Sequence, residues 1–582
     1  MCQNAQTPMK IHGVYHMTIK NNKYIHMKKI YFKFIAVFIL FGFSSLVAQV
    51  PTWQLAFSAG YNGNESVSAI AVDAAGNSYI TGSYTSSYIN FGTFSLLNSF
   101  SGTSDIFLVK IDPAGVVVWA KTFGGADGDQ GNGLAVDASG NVILTGWFAS
   151  TSITFSATVL NNVGTASSDL FAVKYDSDGN LIWAKSAGGS GNDRGYAVSC
   201  DANSNVFVTG WYTSPSINFG TGNLMNAGSA TTDIFIVKYD ASGSTLWAKT
   251  IGGTAADGAR ACANDASGNT YVLGSFSSSS VNFGTGVLTN ASAGTYDLFL
   301  AKYDPLGTVL WSTKVGGIYD EMGNAIAVSG NNIYLTGSFT SASINFGSLP
   351  ALTNASAGTS DIFLASYSSI GTANWSKASG GADADEAKCI CVDASGNAFI
   401  SGSFISSSIT FGTNTLTNSA AGTKDMFVAS FDNTGNSPWA LQAGSYSEEV
   451  GNGIANSNTS SVIHLGGMFN SSSVSFGTSN VYKGCGDDVF YAKLDATTGI
   501  NDAWYNLSEN AVIFPNPSFT GVFSISNELE NVEVQVYDVL GKNVYSSKHF
   551  QNTIDLSFQA KGIYVIQFIL NGQTHSQKIV IE

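Results

Sequence analysis

Short apolar runs separated by polar, glycine-containing turns fill most of the chain. One stretch contains four such runs in succession, at residues 133–137, 142–148, 169–175 and 181–185. The turn Asp176-Ser177-Asp178-Gly179 joins the last two, with Gly suited to a positive φ and Asp suited to capping its own turn. Residues 106–109 are apolar at every position, which is typical of strands covered on both faces. The pattern predicts antiparallel β-strands joined by tight turns.

This group of runs recurs with a period of about 64 residues. An Asp-apolar-Phe run begins at Asp105, Asp169, Asp233, Asp297, Asp361, Asp425 and Asp488. A Trp-containing run follows each of the first six, at Trp119, Trp183, Trp247, Trp311, Trp375 and Trp439, spaced 64 residues apart. Repeated units of four antiparallel strands are typical of a β-propeller. The predicted fold is therefore all-β, a seven-bladed β-propeller with four strands per blade.

The two ends of the repeat array predict how the ring closes. Trp53 precedes the first full repeat, whereas the last repeat lacks a clear Trp run of its own. We expect residues 53–57 to join the last blade as its outermost strand. The alternative closing strand is the one that contains Trp504.

The N-terminal segment has the pattern of a secretory signal. A basic stretch from Met27 precedes an uncharged apolar stretch at residues 34–46, and cleavage is expected after Ala48. The apolar stretch is too short to span a membrane, and no other spanning segment is predicted in the mature chain. The expected divisions are a leader at 1–26 that precedes the true start, a signal peptide at 27–48, the propeller at 49–498, a linker at 499–510 and a C-terminal domain at 511–582.

The repeats resemble the SBBP β-propeller repeats. Residues 70–82, Ile-Ala-Val-Asp-Ala-Ala-Gly-Asn-Ser-Tyr-Ile-Thr-Gly, and their copies carry this resemblance over residues 51–495. The chain departs from that pattern by a longer connection between the second and third strands, which contains Ile-Asn-Phe-Gly at residues 89–92. The resemblance implies the propeller fold and little about a ligand.

The C-terminal residues resemble the C-terminal sorting domain of the type IX secretion system. The matching positions are Pro515, Asn516, Pro517, Gly521, Gly541, Lys542, Gly562, Tyr564 and Lys578. Their apolar spacing predicts a small β-sandwich. The resemblance implies the type IX machinery as a partner, passage through the periplasm, and a final location outside the cell or on its outer membrane.

Charge and composition exclude several functions. The formal net charge of −15 repels phosphate backbones, so no nucleic-acid partner is expected. The chain contains only two arginines, Arg194 and Arg260, too few for a sialidase-like arginine cluster, and it has no nucleophile elbow, phosphate loop or zinc motif. We therefore expect a non-catalytic binding or scaffold module for a glycan or protein. The alternative is a secreted enzyme that acts on polysaccharide through loop carboxylates.

Those carboxylates recur ten residues after each Trp, at Asp129, Asp193, Asp257, Glu321, Asp385 and Glu449, with Glu65 as the counterpart after Trp53. They should surround one mouth of the central channel. One interpretation is that each carboxylate caps backbone amides of its own loop. The other is a cation site, with Ca²⁺ as the one cofactor considered, because hard cations bind clustered oxygen ligands.

The repeats differ from one another at one position that faces the loops. Most blades carry Ser there, at Ser83, Ser275, Ser338 and Ser403, whereas two adjacent blades carry Trp147 and Trp211, with Arg194 nearby in the repeat. Two aromatic faces beside polar loops suit a sugar or a peptide side chain. The competing interpretation is that both indoles pack as core.

Overall fold

The computed structural model describes residues 51–228, 230–457, 461–496, 513–525, 533–548, 553–570 and 573–582. All regular structure within these ranges is β-strand. The predictions for the leader, the signal peptide, the linker and Trp504 lie outside the described residues. Among the described residues, no helix is long and apolar enough to cross a membrane.

Seven repeats of strands follow an initial strand, β1 (Thr52–Ala59), in the N-terminal part of the described chain. In chain order they are β2 (Glu65–Val72), β3 (Ser78–Tyr84), β4 (Tyr88–Phe91), β5 (Phe94–Leu97), β6 (Asp105–Ile111), β7 (Val117–Phe123); β8 (Asp129–Val136), β9 (Val142–Phe148), β10 (Ser152–Phe155), β11 (Thr158–Asn161), β12 (Asp169–Tyr175), β13 (Leu181–Ala187); β14 (Asp193–Cys200), β15 (Val206–Tyr212), β16 (Ser216–Asn218), β17 (Asn223–Met225), β18 (Asp233–Tyr239), β19 (Thr245–Ile251); β20 (Asp257–Asn264), β21 (Thr270–Phe276), β22 (Ser280–Asn282), β23 (Val287–Thr289), β24 (Asp297–Tyr303), β25 (Val309–Val315); β26 (Glu321–Ser329), β27 (Asn332–Phe339), β28 (Ser343–Ile344), β29 (Leu352–Thr353), β30 (Asp361–Ser368), β31 (Ala373–Ser379); β32 (Asp385–Val392), β33 (Ala398–Phe404), β34 (Ser408–Phe411), β35 (Asn414–Thr417), β36 (Asp425–Phe431), β37 (Ala440–Ala443); and β38 (Glu449–Asn456), β39 (Val462–Phe469), β40 (Ser473–Phe476), β41 (Ser479–Tyr482), β42 (Asp488–Asp495).

The strand pairing is that of a propeller. In each of the first six repeats the first, second, fifth and sixth strands form one four-stranded antiparallel sheet, as in the order β2-β3-β6-β7. The first strand of each repeat contacts the first strand of the next, and β38 contacts β2, so these innermost strands form a closed ring. We call each four-stranded sheet a blade. The predicted all-β propeller fold is confirmed.

The last blade closes the ring with the N-terminal strand. Its order is β1-β42-β39-β38, and Trp53 pairs with Leu494. The prediction that residues 53–57 supply this outermost strand is confirmed. The first and last strands of the propeller are thus held together by an antiparallel ladder.

The core lies between neighbouring blades, and the repeated Trp joins them. Residues of β6 such as Ile106 and Leu108 pack with Leu144 and Phe171 of the next blade. The Trp119 indole N–H donates to the Ser177 carbonyl of that next blade at 3.2 Å. The equivalent bond recurs for Trp183, Trp247, Trp311 and Trp375. The 64-residue spacing of Trp therefore reflects a contact between blades.

The connection between the second and third strands of each blade contains a small hairpin that the sequence pattern did not predict. In the first repeat β4 pairs with β5 as a separate two-stranded sheet, and the side chains of Ile89 and Phe91 on β4 are buried. Its strands have only two to four residues, too few for a clear alternation of polar and apolar positions.

The C-terminal residues form the predicted sandwich. Its strands are β43 (Ile513–Phe514), β44 (Val522–Ile525), β45 (Glu533–Asp538), β46 (Asn543–Ser547), β47 (Thr553–Asp555), β48 (Gly562–Leu570) and β49 (Gln573–Ile581). The strands form two sheets, a three-stranded one of order β43-β44-β47 and a four-stranded one of order β46-β45-β48-β49. The two sheets share one apolar core, in which Phe523 of the first packs with Val536 and Phe568 of the second.

Candidate functional site

The wall of the central channel is built from one irregular residue in each innermost strand. All seven innermost strands carry a β-bulge three residues after their first residue. The bulged residues line a central cavity of about 340 Å³: Ser68, Asn132, Tyr196, Arg260, Asn324, Lys388 and Asn452. A bulge re-aims a side chain that regular alternation would place elsewhere. This ring was missed by sequence reasoning, although aligning the repeats at that position reveals that its residues differ.

Three of these bulged residues hold the ring together. The side-chain amide of Asn132 donates to the Gly195 carbonyl of the next blade at 2.8 Å, and that of Asn324 donates to the Ala387 carbonyl at 2.9 Å. Asn452 donates to the Ser66 hydroxyl at 3.1 Å, across the closure of the ring. Tyr196, Arg260 and Lys388 replace Asn in other blades and present different chemistry to the channel.

The structure brings the predicted ligand residues Trp147, Trp211 and Arg194 together. Arg194 on β14 is the cross-strand neighbour of Trp211 on β15. Its guanidinium carbon lies 4.2 Å from the Trp147 ring centre and 5.3 Å from the Trp211 ring centre. Each contact is of cation–π type. The Arg194 Nε atom is buried without a hydrogen-bond partner.

A second cavity of about 320 Å³ opens beside Trp211. Tyr196, Gly258 and Arg260 also line it, and Tyr196 and Arg260 are shared with the central cavity. A Cβ atom on Gly258 would lie 3.3 Å from Cδ1 of Trp211, so a larger residue there would press against the indole. The cavity therefore exists where a bulky indole on one blade faces a glycine on the next.

Serine fills the position of Trp147 and Trp211 in four other blades, and in one of them, at Ser275, it bonds to the next blade. The Ser275 hydroxyl donates to the Glu321 carbonyl at 3.1 Å and accepts from the Gly323 amide at 3.3 Å. The last blade carries Met468 at this position. Trp147 and Trp211 thus place aromatic surface at the position where Ser275 makes an interblade hydrogen bond.

The seven loop acids are buried, and each is the first residue of an innermost strand: Glu65, Asp129, Asp193, Asp257, Glu321, Asp385 and Glu449. The Asp129 carboxylate accepts from the Gly125, Ala149 and Ser150 amides and from the Ser150 hydroxyl, at 2.8–3.2 Å. Asp193, Asp257 and Asp385 repeat this arrangement with Ser214, Ser278 and Ser406. This geometry supports the capping interpretation.

The cation interpretation finds no comparable support in the geometry. Within the residues that the structure describes, no group of three or more His, Cys, Asp or Glu side chains could hold a metal ion. Burial raises the pKa of Asp129 to about 6 and that of Glu65, Glu321 and Glu449 to about 7, although hydrogen bonds to each carboxylate oppose the shift. Calcium binding is the alternative interpretation, and it is untested.

A second set of buried acids was recognised in the sequence only as a repeat marker. Asp105 accepts from the Ser99 amide at 2.6 Å through one oxygen, while its other oxygen is buried without a hydrogen-bond partner. The same oxygen is unpartnered in Asp169, Asp233, Asp297, Asp361, Asp425 and Asp488. Burial raises the pKa of Asp169, Asp233 and Asp361 to about 6.

Comparison with known families identifies the C-terminal sandwich. Residues 512–582 match the family described as secretion system C-terminal sorting domain. These residues are a sorting domain. It directs the chain by the type IX secretion system to the cell surface or the exterior, and it implies contact with that machinery.

The described residues of the sorting domain explain several motif positions. The Asn516 side chain donates to the Lys578 carbonyl at 2.9 Å and accepts from the Val580 amide at 3.0 Å, so it fastens the segment between Pro515 and Pro517 to β49. Gly521, Gly541 and Gly562 have positive φ. Tyr564 donates to the Ala560 carbonyl at 2.6 Å, and the Lys542 amide donates to Asp538 at 3.0 Å.

Two curated proteins resemble part of this chain. An uncharacterized WD repeat-containing protein of Acanthamoeba polyphaga mimivirus is 25% identical in an alignment of 420 residues that covers 59% of this chain and 30% of that protein. The regulatory protein FlaEY of Caulobacter vibrioides is 30% identical over 171 residues, 28% of this chain and 18% of that protein. This chain thus spans less than a third of either relative.

Solved structures with distant similarity include two propeller-like proteins. Sqt1 of Chaetomium thermophilum aligns with a TM-score of 0.36 and 10% identity over 70% of this chain and 96% of its own. PorZ of Porphyromonas gingivalis, described as an essential surface component of the type IX secretion system, aligns with a TM-score of 0.21 and 9% identity over 90% of this chain and 100% of its own. With scores this low, the fold assignment rests on the strand pairing of this chain.

Proposed function

We propose that this exported propeller is a non-catalytic binding module whose ligand, a glycan or a protein, binds at the channel mouth beside Trp147, Arg194 and Trp211. The observation that carries the proposal is the departure from repeat symmetry at this place. Near-identical blades carry Ser where two adjacent blades carry indoles, and an arginine lies between those indoles with an unpartnered buried Nε. A single ligand site needs such a local difference, whereas a purely structural ring does not.

The cavities beside this cluster support a ligand rather than a packed core. Trp147 and Trp211 are each only partly buried, and the space beside Trp211 amounts to about 320 Å³. Ligand sites are concave, aromatic-lined and have a few polar groups, and cavities of this size lie at the lower end of their range. Both features belong to blades two, three and four.

The alternative of a polysaccharide-cleaving enzyme receives less support. The loop carboxylates that it requires are buried beneath backbone amides, as at Asp129, and so are turned away from a substrate in the channel. Glycoside hydrolysis needs two carboxyl groups that reach the scissile bond. Glu386 in the channel is partly buried, and the central cavity is lined by no second acid among the described residues.

The test is a binding screen of the purified full chain on glycan arrays and on candidate surface proteins. The matched variant is Trp147→Ser with Trp211→Ser, which installs the residue that four other blades carry. We expect a reproducible ligand whose affinity falls at least roughly tenfold in the double variant, because a buried aromatic anchor contributes about 2 kcal/mol or more. A ligand bound equally by both proteins would contradict the proposed location, and no ligand at all would favour a scaffold.

A further inference from the structure

Both arginines of the chain lie on neighbouring innermost strands, Arg194 on β14 and Arg260 on β20. The remainder of the chain is strongly acidic, with 40 Asp and Glu against 25 Lys and Arg. Arg194 is held between two indoles, whereas Arg260 is the exposed bulged residue of its strand and extends along the wall shared by both cavities. The Arg260 guanidinium has no hydrogen bond or ion pair within the described residues.

The other charged residues of the two cavities do not pair with Arg260. Asp257, which also lines the second cavity, is buried, and its carboxylate accepts from the Gly253, Ser277 and Ser278 amides and the Ser278 hydroxyl. Lys388 Nζ lies 3.3 Å from a carboxylate oxygen of Glu386, so these two residues form a neutral pair. Glu386 also accepts from the Asn324 side-chain amide at 3.0 Å. The residues lining the central cavity therefore carry one unpaired positive charge, at Arg260. A positive group in a concave site attracts an anion even when the protein as a whole is acidic.

The space in front of Arg260 is bounded by aromatic rings. The centres of the Tyr196 and Trp211 rings lie 6.1 Å apart at an interplanar angle of 34°. Gly258 lines the same cavity, and a Cβ atom at that position would lie 3.3 Å from Cδ1 of Trp211. A flat aromatic face packs against the C–H face of a sugar ring, and a rigid ring loses less conformational entropy on binding than a flexible side chain.

We propose that the cavity bounded by Tyr196, Trp211, Gly258 and Arg260 binds a carboxylated pyranose, that is, a uronic acid unit of an acidic oligosaccharide. This inference rests on the proposed binding function and specifies its ligand class. Arg260 binds the sugar carboxylate through its planar pair of N–H donors, the geometry in which guanidinium and carboxylate match. Trp211 and Tyr196 contact the sugar ring.

The experiment uses the full chain and tetragalacturonic acid as the probe, with binding followed by calorimetry. The fully methyl-esterified tetramer tests the charge, and an Asp/Glu-rich peptide tests the alternative source of carboxylate. Arg260→Asn installs the residue that three other blades carry at the bulge, and Gly258→Gln installs the residue that the second blade carries as Gln130. Lys185→Asn, an exposed lysine on β13, is the charge-matched control.

We expect the acid tetramer to bind and its methyl ester to bind at least roughly tenfold more weakly. Arg260→Asn and Gly258→Gln should each reduce the affinity for the acid tetramer by a similar factor. Lys185→Asn should leave the affinity unchanged. Equal binding of acid and ester, binding unaffected by Arg260→Asn, or binding of the peptide in place of the sugar each overturns the inference. Binding of a neutral glycan through Trp211 alone also overturns the inference of a uronic acid ligand, but it leaves the proposed binding function standing. If no glycan and no protein binds, the inference and the proposed function are both wrong.

Discussion

The capping role of the loop acids makes a quantitative prediction for Asp129. In the variant Asp129→Ala, the partly buried Gly125 amide and the buried Ser150 amide lose their acceptor. The Ala149 amide keeps the Gly128 carbonyl at 3.0 Å, and the Ser150 hydroxyl keeps the Asp127 carbonyl at 3.2 Å. An unsatisfied buried donor costs about 1–3 kcal/mol. With two such donors, and because water partly replaces the lost carboxylate, we expect the free energy of unfolding to fall by about 2–4 kcal/mol.

Urea denaturation of the full chain, followed by tryptophan fluorescence, measures this change. The control is Asp127→Ala, two residues earlier in the same loop, where the acid is exposed. That variant should lie within about 0.5 kcal/mol of the parent protein. If Asp129→Ala costs no more than Asp127→Ala, the carboxylate does not stabilise the loop, and the capping interpretation is wrong.

Three further predictions follow from the blade junctions. Burial raises the pKa of Glu65, Glu321 and Glu449 from 4.5 to about 7. The folded chain therefore binds more protons than the unfolded chain between these pH values, and its stability should be higher at pH 5 than at pH 8. A melting temperature that rises with pH would contradict this prediction. Millimolar Ca²⁺ should leave the melting temperature unchanged, because the protein already supplies donors to the carboxylates, and a clear increase would favour the cation interpretation. Trp119→Phe removes the indole hydrogen bond to Ser177 and should lower the free energy of unfolding by about 1 kcal/mol, as measured by urea denaturation. An unchanged free energy of unfolding would show that this bond does not stabilise the blade junction.

Much of the fold was predictable because it depends on local, repeated chemistry. The Trp spacing reflects an indole bond to the next blade, and the unmatched Trp53 run indicated which strand closes the ring. The small hairpins were not predictable because strands such as β28 contain only two residues. Their pairing is set by the surrounding blade rather than by their own pattern.

The site was only partly accessible to sequence reasoning. Trp147, Trp211 and Arg194 stood out because they depart from near-identical repeats, and the structure brings them together. Tyr196 and Arg260 were not selected, because their position depends on a bulge that interrupts the alternation of side chains. The loop acids were selected from their spacing, but their place as the first residue of each innermost strand and their burial depend on the folded loop.

The most direct test of the proposed ligand site compares two equilibrium affinities for the tightest ligand found in the screen. One is the affinity of the full chain, and the other is that of the Trp147→Ser, Trp211→Ser double variant. Thermal unfolding in parallel establishes that both are folded. We predict that the double variant melts cooperatively and binds at least roughly tenfold more weakly. Unchanged affinity in a folded double variant would contradict the claim that the ligand binds where the blades depart from symmetry.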